Sequence, residues 1–138
     1  CLAGCLPTEN DFYTCLIDSG ANVDCSPSDL HSFAKLGSEF MKHLYGLESP
    51  RVALLSNGVE PTKGNKLVKE THKILAADSS LNFVGNVEGN IALSGICDVL
   101  VADGFSANQV LKVTEGTSMR IIMTYLYLKT MLRSLQSI

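Results

Sequence analysis

The sequence predicts an α/β protein whose sheet is mostly parallel and whose chemistry gathers along one edge of it. Three observations carry that reading. Short β-prone runs alternate with longer amphipathic stretches, the order that crossover helices between parallel strands produce. One of those runs, RVALLS at Arg51–Ser56, is almost continuously apolar, as a strand covered on both faces should be. Every run also ends in a cluster of Gly with Asn, Asp or Ser.

The elements follow in order. Residues 12–18 (FYTCLID) read as a first strand. A helix then opens with Ser26 as N-cap, Pro27 at the first helical position and Asp29 in the first turn. Its apolar face is expected to bury Leu30, Phe33, Ala34, Phe40, Met41 and Leu44, and Gly46 stops it. The second strand is Arg51–Ser56. A second helix runs from about Asn65 to Ala76, with Leu67, Val68, Ile74 and Leu75 inward. Residues 82–85 (NFVG) form the third strand, with a short helical segment around 91–93, and residues 98–102 (DVLVA) form the fourth. From Phe105 the pattern is helical, with a break expected at Gly116. The simplest division is an α/β core at 1–116 and an apolar-to-basic helix at 117–138.

Bulk properties exclude several classes. With 46% apolar and 18% charged residues in 138, the chain is globular and long enough for one core. A net charge of −3 gives no reason to expect a nucleic-acid partner. Residues 117–138 hold Arg120, Lys129 and Arg133 and no acid, so this +3 segment follows a −6 body. The five cysteines (positions 1, 5, 15, 25 and 97) are odd in number and form no Cys-x-x-Cys pair. Neither a disulfide framework nor a zinc site is expected. They read as reduced thiols of a cytosolic protein, Cys15 and Cys97 as small buried hydrophobes. No metal or cofactor is called for. The absent initiator Met and the helical ending mark an internal piece of a longer chain.

The chemistry-bearing residues stand where strands end. These clusters are Asp18-Ser19-Gly20-Ala21-Asn22, then Ser56-Asn57-Gly58 leading to Thr62-Lys63-Gly64-Asn65, then Gly85-Asn86-Val87-Glu88-Gly89, and last Asp103-Gly104-Phe105-Ser106-Ala107-Asn108. In open parallel sheets ligands bind outside the carboxyl ends, where helix N-termini also point. Glycine lets backbone approach a ligand, and asparagine offers neutral donors and acceptors. Any one such loop is explained by turn formation alone; four of four point to a site. Lys63 precedes a helix start beside Gly64 and Asn65, where an anion is favoured, though a solvated loop lysine reads equally well. Lys112, one turn beyond Asn108, faces the same site or water. No Ser-His-Asp triad and no Gly-x-x-x-x-Gly-Lys-Ser/Thr loop is present, and His31, His43 and His72 read as ordinary helix histidines.

Together these loops resemble a known family. The runs RVALLSNGVEPTKGNKLVKE, NFVGNVEG and DVLVADGFSANQVLK-x-x-EG, with DSGANVDCSPSDLHSFAKLGSEF upstream, are similar to the phosphate acyltransferases of bacterial phospholipid synthesis (the PlsX family). The resemblance covers nearly the whole chain. It implies a Rossmann-like three-layer α/β/α fold related to phosphotransacetylases and isopropylmalate-type dehydrogenases, here incomplete. It implies reversible transfer of a fatty acyl group from acyl carrier protein to inorganic phosphate, in a homodimer attached peripherally to the cytoplasmic membrane. Lys63, Asn86 and Asn108 are then the expected catalytic donors. Asn22, Asn57, Gly64, Asn65, Gly85, Glu88, Gly89, Asp103, Gly104 and Lys112 are expected to bind or frame phosphate.

Departures from the family pattern matter. Ala107 replaces a glycine, which would strain the loop if positive φ were needed there. Leu36-Gly37-Ser38 stands for the usual Met-Gly-Ser. The family's N-terminal Asp-Ala-Met-Gly-Gly-Asp strand and its C-terminal Gly/His/Ser-rich segment are missing. Other readings are phosphotransacetylase-like transfer to coenzyme A, and a non-catalytic, lipid-associating remnant of the fold. In the last helix Tyr127, Leu128, Met131, Leu132, Leu135 and Ile138 share one face. Lys129, Thr130, Arg133, Ser134, Gln136 and Ser137 share the other, a pattern suited to anionic lipid or to a partner subunit.

Overall fold

The computed structural model describes residues 1–135. Gln136, Ser137 and Ile138, with the side chains of Ser134 and Leu135, lie outside that description, and so does their expected share of the amphipathic face. The chain forms two compact units, Cys1–Asn108 and Gln109–Ile138.

The first unit is a five-stranded sheet with flanking helices, the Rossmann-like α/β architecture expected. Its strands are β1 (Ala3–Pro7), β2 (Tyr13–Ile17), β3 (Arg51–Ser56), β4 (Asn82–Glu88) and β5 (Val99–Val101). Their spatial order is β1-β2-β5-β3-β4, parallel except for the antiparallel β1 edge. Helix α1 (Pro27–Tyr45) carries the chain from β2 over β5 to β3, and α2 (Lys66–Ala77) carries it from β3 to β4. Both pack on the sheet face built from Cys15, Ile17, Val52, Leu54, Val99 and Val101. Side chains of opposite parity (Thr14, Leu16, Ala53 and Leu100) are buried too, so both faces are covered.

Helix boundaries follow from capping chemistry. Ser26 Oγ accepts the Asp29 N–H while the Asp29 carboxylate accepts the Ser26 N–H, a reciprocal capping box, and Pro27 takes the first position. Gly46 ends α1 at φ 68°, a left-handed value glycine adopts without a Cβ penalty. Leu30, Phe33, Ala34 and Met41 are buried as expected. Phe40 and Leu44, also expected inside, are 38% and 59% exposed, because Tyr45 and Leu47 complete the packed stripe instead. In α2 Leu75 is buried and Leu67 and Val68 lean on the core, whereas Ile74 is exposed and Thr71 takes an inner position.

Three expectations fail for identifiable reasons. β1 was not expected: it is a five-residue edge strand with Gly4 inside and Pro7 at its end, residues that normally argue against a strand. β4 runs on to Glu88 instead of stopping at Gly85. Gly85, at φ 102°, sits where the β3–β4 register slips, so it marks a bulge within a strand and not a strand end. Helix α3 (Gly104–Leu135) passes through Gly116 without interruption. A single interior glycine costs about 1 kcal/mol relative to alanine, too little to break so long a helix.

Candidate functional site at the strand carboxyl ends

Asp18 organises the loop after β2. It is fully buried, and its carboxylate accepts from the N–H groups of Leu2 (2.8 Å), Gly20 (3.3 Å), Ala21 (3.1 Å) and Asn22 (2.7 Å) and from Asn22 Nδ2 (2.7 Å). Burial alone would raise its pKa; the donors from Leu2, Ala21 and Asn22 outweigh burial and hold it at about 2. The sequence reading puts Asp18 at the end of the first strand and the head of the cluster after it, with no role of its own. Its signal was an acid directly after an apolar strand and before four residues rich in free N–H groups.

The gathered loop meets the loop after β5. The Asn22 carbonyl accepts the Gly104 N–H at 2.8 Å, and a Cβ on Gly104 would lie 2.6 Å from that carbonyl oxygen. Only glycine fits so close a backbone approach. Asn108 lies against Gly20, itself at φ 136°. Asp103 caps α3, its carboxylate accepting the Ser106 N–H (2.9 Å) and Oγ–H (2.8 Å). Ala107 sits in the first turn of α3, fully buried and outside the positive-φ residues, so the strain that replacing a glycine would have brought does not arise.

The β3–α2 loop is closed in the same way. Asn57 Oδ1 accepts the Gly64 N–H at 2.8 Å, and Asn65 caps α2 by accepting the Val68 N–H at 2.9 Å. Gly64 has φ 93°, and an added Cβ would fall 2.4 Å from Val68 Cγ1. Lys63 is exposed, its stem lies along Gly58, and it joins no ion pair among the described residues.

Asn86 differs most from the sequence expectation of a loop residue. It lies in β4, buried, with Oδ1 2.9 Å from His72 Nδ1 and Nδ2 donating to the Glu60 carbonyl at 2.9 Å. Both ends of its amide therefore tie β4 to α2 and to the β3–α2 loop. Glu88 closes β4, and Gly89 opens a short 3₁₀ turn, Gly89–Ile91. Lys112 belongs to the second unit and pairs with Glu115 at 3.1 Å.

Between the loops lies a cavity of ≈ 420 Å³, lined by Asp24, Cys25, Asn65, Asp103, Phe105 and Ser106 among others. It brings together the loop after β2 and the starts of α2 and α3. Of the expected site residues only Asn65 and Asp103 line it; Asp24, Cys25, Phe105 and Ser106 were not singled out. Cys25 is no ready nucleophile, because burial, with Asp103, Asp29 and Asp18 nearby, pushes its thiol pKa up against a lowering contact from Gly104. Among the described residues no cluster of His, Cys, Asp and Glu is arranged to hold a metal ion.

Comparison with known proteins decides the family. The pattern of the family described as "Fatty acid synthesis protein" matches residues 1–137. The chain belongs to this family, that of the phosphate acyltransferases. It is 53% identical over 103 residues to the phosphate acyltransferase of Ligilactobacillus salivarius, covering 75% of this chain and 31% of that protein. It is 50% identical over 121 residues to the phosphate acyltransferases of Streptococcus equi subsp. zooepidemicus and Streptococcus pneumoniae, covering 88% of this chain and 36% and 37% of theirs. The chain thus spans about a third of the length of the phosphate acyltransferases it matches.

Proposed function

We propose that the protein carrying this chain transfers a fatty acyl group from acyl carrier protein to inorganic phosphate, reversibly, forming an acyl phosphate for phospholipid synthesis. The observation that carries the reading is the meeting of the loops after β2 and β5 with the start of α2 around one cavity. The name borne by its relatives supplies the reaction class. Phosphate is itself the nucleophile: one of its oxygens attacks the thioester carbonyl, and the tetrahedral intermediate collapses by expelling the carrier thiolate. No covalent enzyme intermediate is needed, in keeping with the raised pKa of Cys25. The protein's task is to hold the dianion and to stabilise the developing oxyanion with fixed donors.

Charge decides where the dianion sits. Asp24 and Asp103 make one wall of the cavity acidic, so phosphate belongs nearer Lys63 and the free N–H groups at the start of α2. In this reading Lys63 is the binding cation, Asn108 and the glycine-rich loops are donors, and Asn22, Asn57, Asp103 and Gly104 frame the loops. Asn86, engaged at both ends, holds the β3–α2 loop in place. The second unit exposes Met119, Ile121, Ile122, Met123, Tyr125 and Leu126, surface suited to a second subunit or to the face of a cytoplasmic membrane. No helix among the described residues is long and apolar enough to cross a membrane, which leaves peripheral contact as the mode proposed.

The test is formation of acyl phosphate from acyl-carrier-protein thioester and phosphate by the full-length protein. Lys63→Ala is expected to lower turnover at least tenfold, about 1.4 kcal/mol of lost transition-state stabilisation. Unchanged turnover removes Lys63 from the site. Activity on short-chain acyl-coenzyme A alone overturns the choice of acyl donor.

A further inference from the structure

Cys5 and Cys15 face each other directly across the β1–β2 ladder. The Cys15 N–H is used on the opposite side, donating to the Asp98 carbonyl at 2.9 Å. A strand residue's N–H and C=O point the same way, so Cys5 and Cys15 form a pair with no ladder hydrogen bonds between them. Such pairs hold their Cα atoms about 4.5 Å apart, with the side chains on one face. That separation lies within the roughly 4.4–6.8 Å a disulfide spans. Both thiols are free, and the Cys5 side chain neighbours the Cys15 thiol and the Tyr45 hydroxyl.

We propose that Cys5 and Cys15 are an oxidisable pair, closed to an intramolecular disulfide by exchange with a low-molecular-weight disulfide such as oxidised glutathione. Cys5 is half-buried on an edge strand and Cys15 is fully enclosed, so Cys5 reacts first. Its thiolate attacks one sulfur of glutathione disulfide, forming a mixed disulfide and releasing one glutathione thiolate. The Cys15 thiolate then attacks the Cys5 sulfur and releases the second glutathione. Two protein thiols are oxidised, one small disulfide is reduced to two thiols, and the two thiol protons pass to the departing thiolates. Burial pushes the Cys15 thiol up to about 12, so the second step needs the edge strand to open and quickens as pH rises. The bond would fasten β1 to β2 beside Leu2, whose N–H donates to Asp18, and so stiffen the support of the candidate site.

The purified protein is treated with oxidised glutathione between about pH 7 and about pH 9, alkylated, and cleaved at acidic residues. Glu9 and Asp11 lie between the two cysteines, so cleavage there separates Cys5 from Cys15 unless they are bonded. The expected product is a linked Cys5–Cys15 peptide pair whose yield rises with pH, is lost in Cys5→Ser and survives in Cys1→Ser. Glutathione remaining on Cys5 with no link formed overturns the proposal. So does a link from Cys15 to Cys1, or one that persists in Cys5→Ser. Because Cys5 is only half-buried, Cys5→Ser keeps the test valid even if Cys15→Ser fails to fold.

Discussion

Asp18 shows how much one residue can determine. Five donors converge on a carboxylate that joins no ion pair among the described residues, so oriented dipoles stabilise the charge. Its pKa is depressed from 3.8 to about 2, so it contributes stability that is full above the ordinary carboxylate pKa. That contribution fades as pH falls from about 4 through about 2, and it is on the order of 2 kcal/mol. Asp18→Asn is expected to lower stability at neutral pH and to flatten the acid limb of a stability–pH curve in this window. Acid unfolding followed by circular dichroism measures both. The sequence showed that a loop belonged here but not that an acid held it: four of the five donors lie within the next four residues but are aimed at one carboxylate only by the folded turn, and the fifth, from Leu2, arrives only once β1 pairs with β2. The helix start at Asn65, with Gly64 at positive φ before it, was legible because it is set by the next few residues.

At the level of elements, capping was the readable part. Ser26, Pro27, Gly46 and Asn65 act through hydrogen bonds and dihedral angles local to the chain, and each marks the boundary expected of it. What failed depended on partners distant in sequence. The Gly85 bulge exists because β4 must stay in register with β3, and β1 exists because β2 offers it an edge. Helix–sheet packing supplies a sharper test. A Cβ on Gly37 would come 2.6 Å from Val99 Cγ1 and 3.2 Å from Ile17 Cγ2, both on strands whose branched side chains have little freedom. Gly37→Ala is expected to destabilise by roughly 1–3 kcal/mol through overpacking, despite the better helix propensity of alanine. Thermal unfolding reads the loss; an unchanged or raised Tm would mean that α1 sits less tightly on β5 than described.

Across the whole molecule, charge and hydropathy are divided between the two units. The acidic body carries the candidate site, while Arg120, Lys129 and Arg133 lie among exposed apolar residues of α3. Near an anionic surface each basic charge is worth about 1 kcal/mol, so Lys129→Gln with Arg133→Gln should weaken binding to anionic vesicles roughly tenfold or more. Flotation with anionic and with neutral vesicles measures this; equal binding to both would assign the apolar surface to a protein partner. The order β1-β2-β5-β3-β4 also constrains how the molecule is made. Among these five strands the central one comes last in chain order, so β2 and β3 wait with open edges until residues near Val99 leave the ribosome. A nascent chain halted before that point holds two separate strand pairs and no finished sheet, and it is then, more than at any later stage, that a holding chaperone has something to protect.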